Sequence, residues 1–284
     1  MSTLRIRLLG APQFKVDGNL LNLHRRKNDA LLAYLAVTGQ PQHRAHLASL
    51  FWPDTTTSRA FANLRTHLSA LRQTIGTDRL CTAEDIVWLA PEQIRLDVAD
   101  FRQSLAATQA EAQGDADGGQ TALAKAVTLY TGAFMDGFSL ADCAAFEEWQ
   151  FFLREEFHQL FMGALSRLVY HARAAGKLDD ATKYARRLVT QDPLDEEVHR
   201  TLMQLYTQRG QWAAARRQYE SCRHMLKTEL GVAPAAETTA LFAKVTARTV
   251  DHPQPAAGKQ AVVTTHRPAA VDNLPASLEP ITGR

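Results

Sequence analysis

The sequence contains few cysteines and no long apolar run. Cys81, Cys143 and Cys222 are the only cysteines among 284 residues, and no pair of them has the Cys-x-x-Cys spacing. This odd, scattered set excludes a disulfide framework, and the thiols are expected to be buried as small apolar side chains in a reducing compartment. The amino terminus lacks the apolar core of a signal peptide, and no apolar run approaches the roughly 20 residues that cross a membrane. A soluble, cytoplasmic protein without membrane contact is therefore expected.

Enzyme signatures are also missing. Gly176-Lys177 and Gly258-Lys259 lack the upstream glycine of a phosphate-binding loop, so this segment is not expected to bind ATP. His43 and His46 share one predicted helix face, yet no nearby residue completes a metal-binding set. The sequence therefore predicts no catalytic residue, no cofactor and no metal site.

Positive charge is concentrated at the front of the chain. Residues 1–80 contain eleven Lys and Arg residues against four Asp residues, a net charge of +7, whereas residues 81–100 carry −4. The remaining chain is close to neutral, and the total is +2. A basic module joined to neutral material is typical of a domain that binds a polyanion. The length and the 45% apolar content suit two globular domains and a linker.

The first part of the chain has short strand patterns around three helical ones. Leu4, Ile6 and Leu8 alternate with arginines, and Asp17-Gly18 supplies a positive-φ turn between two further strand segments. Apolar spacing predicts helices over 27–37, 43–52 and 58–75, then a hairpin over 80–89 and a strand over 94–98. Ser58 is the expected N-cap of the third helix, and Gly76 its stop. This order predicts a winged helix-turn-helix over residues 1–98.

The second part is expected to be all helical. Three pairs of residues lie 34 positions apart, and these are Leu168 and Leu202, Gly176 and Gly210, and Ala181 and Ala215. A 34-residue period in helix pairs is that of tetratricopeptide repeats, where a small residue lets the second helix pack closely. We therefore predict a tetratricopeptide-like all-α domain over residues 99–248 and a proline-rich linker over 249–284. The expected fold is mainly α, after an α+β winged helix.

The predicted helix over 58–75 separates an apolar stripe from a polar face at about 100° per residue. The stripe contains Phe61, Leu64, Leu68, Leu71 and Ile75. The remaining surface has no acid and holds the candidate DNA-binding residues, which are Arg59, Asn63, Arg65, Thr66, Ser69, Ala70, Arg72 and Gln73. Arginine can pair with guanine, Asn and Gln with adenine, and small side chains allow close approach to the major groove. The alternative is a bundle helix whose polar face is only solvated surface.

Two other sets of side chains leave alternatives open. Trp149, Phe151, Phe152 and Phe157 form an aromatic run that is expected to lie in the core, with a groove for a protein partner as the alternative. His67 lies near the edge of the helix over 58–75, where packing and a phosphate contact are about equally plausible.

Several segments of the sequence resemble those of a known family. "LRIRLLGAPQFKVDGNLLNL", "RRKNDALLAYLAV", "HLASLFWPD" and "NLRTHLSALRQTIG" resemble the response-regulator-type winged helix of the Streptomyces antibiotic regulatory protein family. "DVADFRQSL", "ALAKAVTLYTGAFMDGF" and "DPLDEEVHRTLMQLYTQRGQWAAARRQYESCRHMLKTELGVAP" resemble that family's bacterial transcriptional activator domain. The resemblance implies a bacterial transcription factor that binds tandem repeats in double-stranded promoter DNA and assists RNA polymerase, or contacts another protein, through its helical domain.

The resemblance makes the helix over 58–75 the recognition helix and the hairpin over 80–89 the wing. Asn63, Thr66, Ala70 and Gln73 would face bases, and the arginines Arg59, Arg65 and Arg72 would face phosphates. Many family members carry a basic residue where Ala70 stands, so base readout is expected to differ here. Glu84 and Asp85, at the tip of the wing, would repel phosphate.

The tail resembles another segment of larger regulators. "NLPASLEPITGR", residues 273–284, is similar to the lead-in of a nucleotide-binding domain, so the chain is expected to be the amino-terminal part of a longer protein with a downstream ATPase. The acidic wing keeps a second function open: a protein-interaction and signalling module for that ATPase, whose winged helix does not read DNA.

Overall fold

Two small sheets and three helices make up the front of the molecule. The computed structural model describes residues 3–110 and 116–251. The elements are, in order, β1 (Leu4–Arg7), β2 (Gln13–Val16), β3 (Asn19–Leu20), α1 (Arg26–Thr38), β4 (Gln42–His43), α2 (Arg44–Phe51), α3 (Thr57–Ile75), β5 (Leu80–Ala83), β6 (Ile86–Leu89), a short 3-10 helix (Pro91–Gln93) and β7 (Ile94–Leu96). The winged helix-turn-helix predicted from the element order is confirmed. The tail segment over 273–284 lies outside the described residues.

Seven helices follow in the described chain, with a non-helical segment over residues 130–143 between the second and the third of them. They are α4 (Asp97–Ala110), α5 (Ala116–Leu129), α6 (Ala144–Ala174), α7 (Leu178–Gln191), α8 (Glu196–Gln208), α9 (Trp212–Glu229) and α10 (Ala236–Asp251). None of the described helices is long and apolar enough to cross a bilayer.

The first sheet has the strand order β3-β2-β1-β7. Leu4 and Ile6 of β1 are fully buried, whereas Arg5 between them is exposed, as the alternating pattern predicts. Asp17 and Gly18 have φ of 51° and 87°, which confirms the positive-φ turn after β2. The parallel pairing of β7 with β1 was not anticipated, and it returns the end of the winged helix to its first strand.

The second sheet, ordered β4-β6-β5, contains the predicted hairpin. The hairpin turns at Glu84, whose φ of 44° is left-handed. Helix α3, which precedes the hairpin in the chain, begins at Thr57, one residue before the predicted start. Ser58 is therefore not its N-cap: Thr56 takes that position with an extended backbone and no side-chain cap hydrogen bond.

The 34-residue repeat appears as two superposable turns. Gly176 and Gly210 have φ of 70° and 69°, a left-handed conformation that glycine adopts without a Cβ clash. In the two turns the amides of Lys177 and Gln211 donate to carbonyl oxygens five residues earlier, both at 2.8 Å. Ala181 and Ala215, at the start of the second helix of each pair, are fully buried. The predicted tetratricopeptide-like packing is confirmed.

A buried carboxylate joins the winged helix to the helical domain. Asp97 accepts hydrogen bonds from the amides of Leu8 and Leu9 at 2.9 Å and from that of Val98 at 2.8 Å. Burial raises the pKa of the Asp97 carboxyl, and the three amides counteract that shift. The carboxylate therefore fixes the end of β1 against the first turn of α4. The domain boundary predicted at 98 falls just after this residue and stays a prediction.

Aromatic rings continue the core from one domain into the other. The Tyr34 ring of α1 lies 4.9 Å from the Trp149 ring of α6, and the Phe51 ring of α2 lies 5.5 Å from that of Phe146. Beside them, the Lys27 ammonium contacts the Asp142 carboxylate at 2.7 Å and the Phe51 carbonyl at 2.6 Å. The helix-turn-helix is therefore packed directly on the helical domain.

The aromatic run on α6 is divided between core and surface. Phe157 is fully buried and Trp149 is partly buried in the junction, as expected. Phe151 and Phe152 are 58% and 61% exposed, so the core interpretation is wrong for these two. Consecutive residues on a helix are about 100° apart, and this pair falls on the side of α6 that faces away from its neighbours. The alternative of a partner surface stays open for them.

Candidate nucleic-acid interface

Helix α3 rests on the winged-helix core along one apolar stripe. Leu64, Leu68, Leu71 and Ile75 are no more than 4% exposed, and Phe61 is half-buried against the same core. Gly76 ends the helix, its amide donating to the Arg72 carbonyl at 3.0 Å. The stripe fixes which side of α3 faces outward.

The outward side of α3 is free of acids. Arg59, Arg65, Thr66, Ser69 and Gln73 are exposed. Among the described residues, none of the side chains of Arg59, Arg65, Ser69 and Gln73 forms a hydrogen bond or an ion pair. The Thr66 hydroxyl donates to the Ala62 carbonyl at 3.0 Å, which leaves its oxygen as an acceptor and its methyl group for outside contacts. The helix thus presents groups that its own fold does not use.

Asn63 and Ala70 lie at the margins of this side and are half-buried. The Asn63 amide has no hydrogen-bond partner among the described residues, so both of its polar atoms remain available to a ligand. Ala70 is small enough for the backbone of α3 to approach a ligand closely at that position.

Arg72 belongs to a different environment from the other arginines of α3. Its Nε donates to the Leu80 carbonyl at 3.1 Å, and its Nη2 donates to the Thr82 hydroxyl at 2.6 Å. Both acceptors lie on β5, so the guanidinium holds the hairpin against the end of α3. The structure separates Arg72 from the exposed group that the sequence assigned it to.

His67 packs inside the domain. Its Nδ1 lies 2.6 Å from the Asn28 side-chain oxygen, and its ring lies 5.0 Å from that of Trp52. Burial, reinforced by Arg25 and Lys27, lowers the pKa of His67 to about 4. The imidazole is therefore neutral at neutral pH and connects α3 to α1, which decides between the two roles left open for it.

One cation beside α3 was missed by reasoning from the sequence. Arg25 is exposed at the N-cap position of α1, forms no cap hydrogen bond, and is close enough to His67 to affect its pKa. The "RRK" run at 25–27 was the available signal. The next two residues of this run have partners inside the protein. Arg26 lies over the Phe138 ring at 5.0 Å, and Lys27 pairs with Asp142 in the domain junction.

The hairpin tip carries the two exposed acids Glu84 and Asp85. Arg44 supports the tip through its backbone: the Arg44 Nε donates to the Glu84 carbonyl at 3.0 Å, and the Arg44 amide donates to the Asp85 carbonyl at 2.7 Å. Neither carboxylate has an ion pair among the described residues. The tip is thus rigidly placed and negative.

No cluster of metal ligands accompanies this surface in the described part of the chain. No group of three or more His, Cys, Asp or Glu side chains there could hold a metal ion. His46, one of the two histidines considered for such a role, instead contacts the Tyr34 hydroxyl through its Nε2 at 2.8 Å.

Comparison with known proteins relates the chain to bacterial regulatory proteins. Residues 96–246 match the bacterial transcriptional activator domain. Regulatory protein AfsR of Streptomyces griseus is 29% identical over 293 residues, which is 99% of this chain and 28% of that protein. Transcriptional regulatory protein MoaR1 of Mycobacterium tuberculosis is 26% identical over 250 residues, or 85% of this chain and 79% of that one. The chain therefore spans little more than a quarter of the length of AfsR.

A solved structure supports the same fold. Mycobacterium tuberculosis EmbR, in complex with a low affinity phosphopeptide, superposes with a TM-score of 0.63 over 87% of this chain and 66% of that chain. The two sequences are 22% identical, so the likeness extends to the arrangement of the winged helix and the helical domain and no further.

Proposed function

Because the chain belongs to the Streptomyces antibiotic regulatory protein family, with a winged helix and a bacterial transcriptional activator domain, we propose that it binds promoter DNA sequence-specifically. Transcriptional regulation in bacteria is the role this family shares. In the proposal, α3 enters the major groove and the helical domain contacts RNA polymerase or another protein.

The outward side of α3 is the observation that supports DNA binding best. It combines exposed arginines, amides and small side chains, contains no acid, and leaves those polar groups without partners inside the described protein. A surface helix selected for solubility alone usually mixes Glu with Lys. Major-groove edges are read by amide and guanidinium groups at close approach, which this side of α3 supplies.

The proposed contacts divide into two classes. Asn63, Thr66, Ser69, Ala70 and Gln73 are assigned to base edges, because they are short or carry amides and hydroxyls. The longer, permanently charged arginines are assigned to phosphates, and these are Arg59 and Arg65, joined by Arg25 at the N-cap of α1. Arg72 is proposed to act indirectly, since its guanidinium positions the hairpin.

The helical domain offers two features for the proposed protein contact. A groove of about 710 Å³ is lined by residues of α6, α7 and α8, among them Tyr170 and Arg173. On another part of α6, the Phe151 and Phe152 rings lie exposed side by side, 5.9 Å apart. Exposed adjacent aromatics are enriched at protein interfaces. Binding of purified RNA polymerase to the full chain, with and without Phe152→Ala, would test this part of the proposal.

DNA recognition is tested by selecting bound duplexes from a random pool with the full chain. The expected result is an enriched sequence present as a direct repeat. Asn63→Ala should then relax preference at one base pair, which typically costs about 1–3 kcal/mol when lost. Arg217→Ala, an exposed arginine on the distant α9, is the matched control and should leave the selected sequence unchanged. Selection of no sequence, together with recovery of protein partners, would favour the protein-interaction alternative.

A further inference from the structure

Three arginines line one depression where the winged helix meets the helical domain. Arg5 and Arg7 lie on β1, and Arg95 of β7 is directly opposite Arg5. Leu4 and Ile6, which alternate with the arginines of β1, are fully buried, so these positions face away from the core. We call Arg5, Arg7 and Arg95 the arginine cluster.

The walls of the depression come from both domains. Its volume is about 380 Å³, and the arginine cluster lines it together with Asp97 and Asp100 of α4 and Thr128 and Leu129 of α5. A volume of this order is typical of pockets that hold small molecules. A molecule bound there would contact two strands of the winged helix and two helices of the helical domain.

The charge of the arginine cluster is not neutralised within the part of the chain that the structure describes. None of the three guanidinium groups forms an ion pair or a hydrogen bond there. The Asp97 carboxylate accepts from three backbone amides, and Asp100 forms no ion pair with the cluster. Like charges that face each other across neighbouring strands destabilise a sheet. The opposition of Arg5 and Arg95 is therefore a cost to this fold that a bound anion would offset.

We propose that this depression binds a small phosphorylated molecule that also carries hydroxyl groups, with the arginine cluster around its phosphate. A guanidinium presents two parallel N–H donors to a pair of phosphate oxygens, which makes arginine well suited to this group. Beside the cluster, the Asp100 carboxylate can accept hydrogen bonds from hydroxyl groups. The Thr128 hydroxyl donates to the Ala124 carbonyl at 2.8 Å, so its oxygen is a second acceptor. The inference goes beyond the proposed DNA binding and does not depend on it.

The chemistry of the contacts sets the size of the expected effects. Hydrogen bonds to charged groups contribute more than neutral ones, so loss of two of the three guanidinium groups should weaken binding about tenfold or more. The hydroxyl contacts are neutral on one side and should add about threefold to the affinity. Because the ligand binds only the folded chain, it should also raise the unfolding temperature.

Calorimetric titration of the full chain at low salt tests the proposal, with ribose 5-phosphate as the probe. Inorganic phosphate should bind about threefold more weakly, and unphosphorylated ribose should not bind. Arg5→Gln with Arg95→Gln should lower the affinity for ribose 5-phosphate about tenfold or more. Should this double variant fail to fold, Arg95→Gln alone, on the edge strand β7, should still lower the affinity about threefold or more.

Lys15→Gln is the matched control. Lys15 lies opposite Arg5 on β2, on the same side of the sheet, but it is not among the residues that line the depression. This variant removes one positive charge from the same surface and should change the affinity for ribose 5-phosphate by less than about twofold.

Four results would contradict the proposal. The first is failure of both ribose 5-phosphate and inorganic phosphate to bind the unmodified chain. The second is equal loss of affinity in Lys15→Gln and the double variant, because the attraction would then belong to the sheet as a whole. The third is equal affinity for ribose 5-phosphate and inorganic phosphate, which would remove the role of the hydroxyl acceptors.

The fourth result concerns DNA. If the double variant binds a single DNA site more weakly than Lys15→Gln does, with no phosphate compound added, the arginine cluster contacts DNA phosphates and the depression is not a small-molecule site. The proposed DNA binding would remain in that case. Conversely, if the unmodified chain binds ribose 5-phosphate as expected but no DNA, the proposed function fails and this inference stands.

Discussion

Arginines have different tasks in the two domains. In the helical domain they are used internally: Arg154 donates to the carbonyls of Phe134, Met135 and Phe138 at 2.9 to 3.1 Å, and Arg187 closes the end of α5 in the same way. In the winged helix, Arg59 and Arg65 are exposed and unpaired among the described residues. The same residue type thus stabilises the helical domain and, in the proposed function, binds DNA phosphates from the winged helix.

Removing Arg154 should produce the largest loss of stability. Arg154→Ala leaves the Phe134 carbonyl without a donor among the described residues. The Met135 and Phe138 carbonyls lose one donor each but still accept from Gln150. An unsatisfied buried polar group costs about 1–3 kcal/mol. Because one carbonyl is left unsatisfied and two others each lose a charged donor, we expect the free energy of unfolding to fall by about 2–4 kcal/mol in total. Urea unfolding of Arg154→Ala and of the unmodified chain measures this difference in the free energy of unfolding. Arg65→Ala is the control from the other domain, and a similar loss there would contradict the division of tasks.

His67 makes the winged helix sensitive to acid. Its pKa is about 4 in the folded chain, below the ordinary value of 6.5, so the unfolded chain binds more protons between these values. Stability from this group is complete above pH 6.5 and is lost as the pH falls, by about 2 kcal/mol between pH 6.5 and 5. Burial raises the pKa of Asp29 to about 6 and acts in the opposite direction. The difference between the unmodified chain and His67→Gln isolates the histidine.

Unfolding curves at pH 7 and pH 5 provide the measurement for His67. The unmodified chain should lose more stability than His67→Gln over this interval. An equal loss in both proteins would mean that the imidazole is solvated in the folded state.

Arg72 is an exception to this difference between the domains, because it is an arginine of the winged helix whose guanidinium bonds within the fold. Arg72→Ala removes the hydrogen bonds to Leu80 and Thr82, and should cost about 1–2 kcal/mol of stability. Thermal unfolding compared with Arg59→Ala, which should change stability by less than about 0.5 kcal/mol, checks the assignment. If Arg72→Ala unfolds like Arg59→Ala, the hairpin does not depend on this guanidinium.

The smallest effect is expected at the repeat turns. Gly210→Ala places a Cβ at a φ of 69°, where nothing lies within 4 Å of it, so only the backbone conformation is strained. A cost of about 1 kcal/mol follows. Gly163→Ala, on the exposed side of α6, is the matched control and should be neutral or stabilising. Equal effects at the two positions would show that the turn tolerates a side chain.

Local patterns predicted most of the elements. The alternation around Arg5, the apolar stripe of α3 and the 34-residue spacing are properties of short segments, and each is realised in the structure. Pairings between distant segments were not predictable in this way. Nothing near Ile94 in the sequence indicates that its strand lies beside Leu4, because parallel register is set by the packing of the helices between them.

The sequence was sufficient to predict which side of α3 faces outward. It was not sufficient to predict the role of each residue on that helix. Helical periodicity identifies the outward side of α3, and the arginines there can be counted. It cannot show that Arg72 reaches across to β5, since that contact depends on where the hairpin lies. The contact of His67 with Asn28 was not predictable for the same reason. The two residues lie on different helices and are 39 positions apart in the sequence.

The salt dependence of DNA affinity tests the central claim most directly. For the duplex selected by the full chain, the logarithm of the association constant should fall linearly with the logarithm of salt concentration, and Arg65→Ala should reduce that slope by about 0.9, the value of one lost phosphate contact. Arg217→Ala should leave the slope unchanged. An affinity independent of salt, or equal slopes for the unmodified chain and Arg65→Ala, would contradict the placement of α3 against DNA.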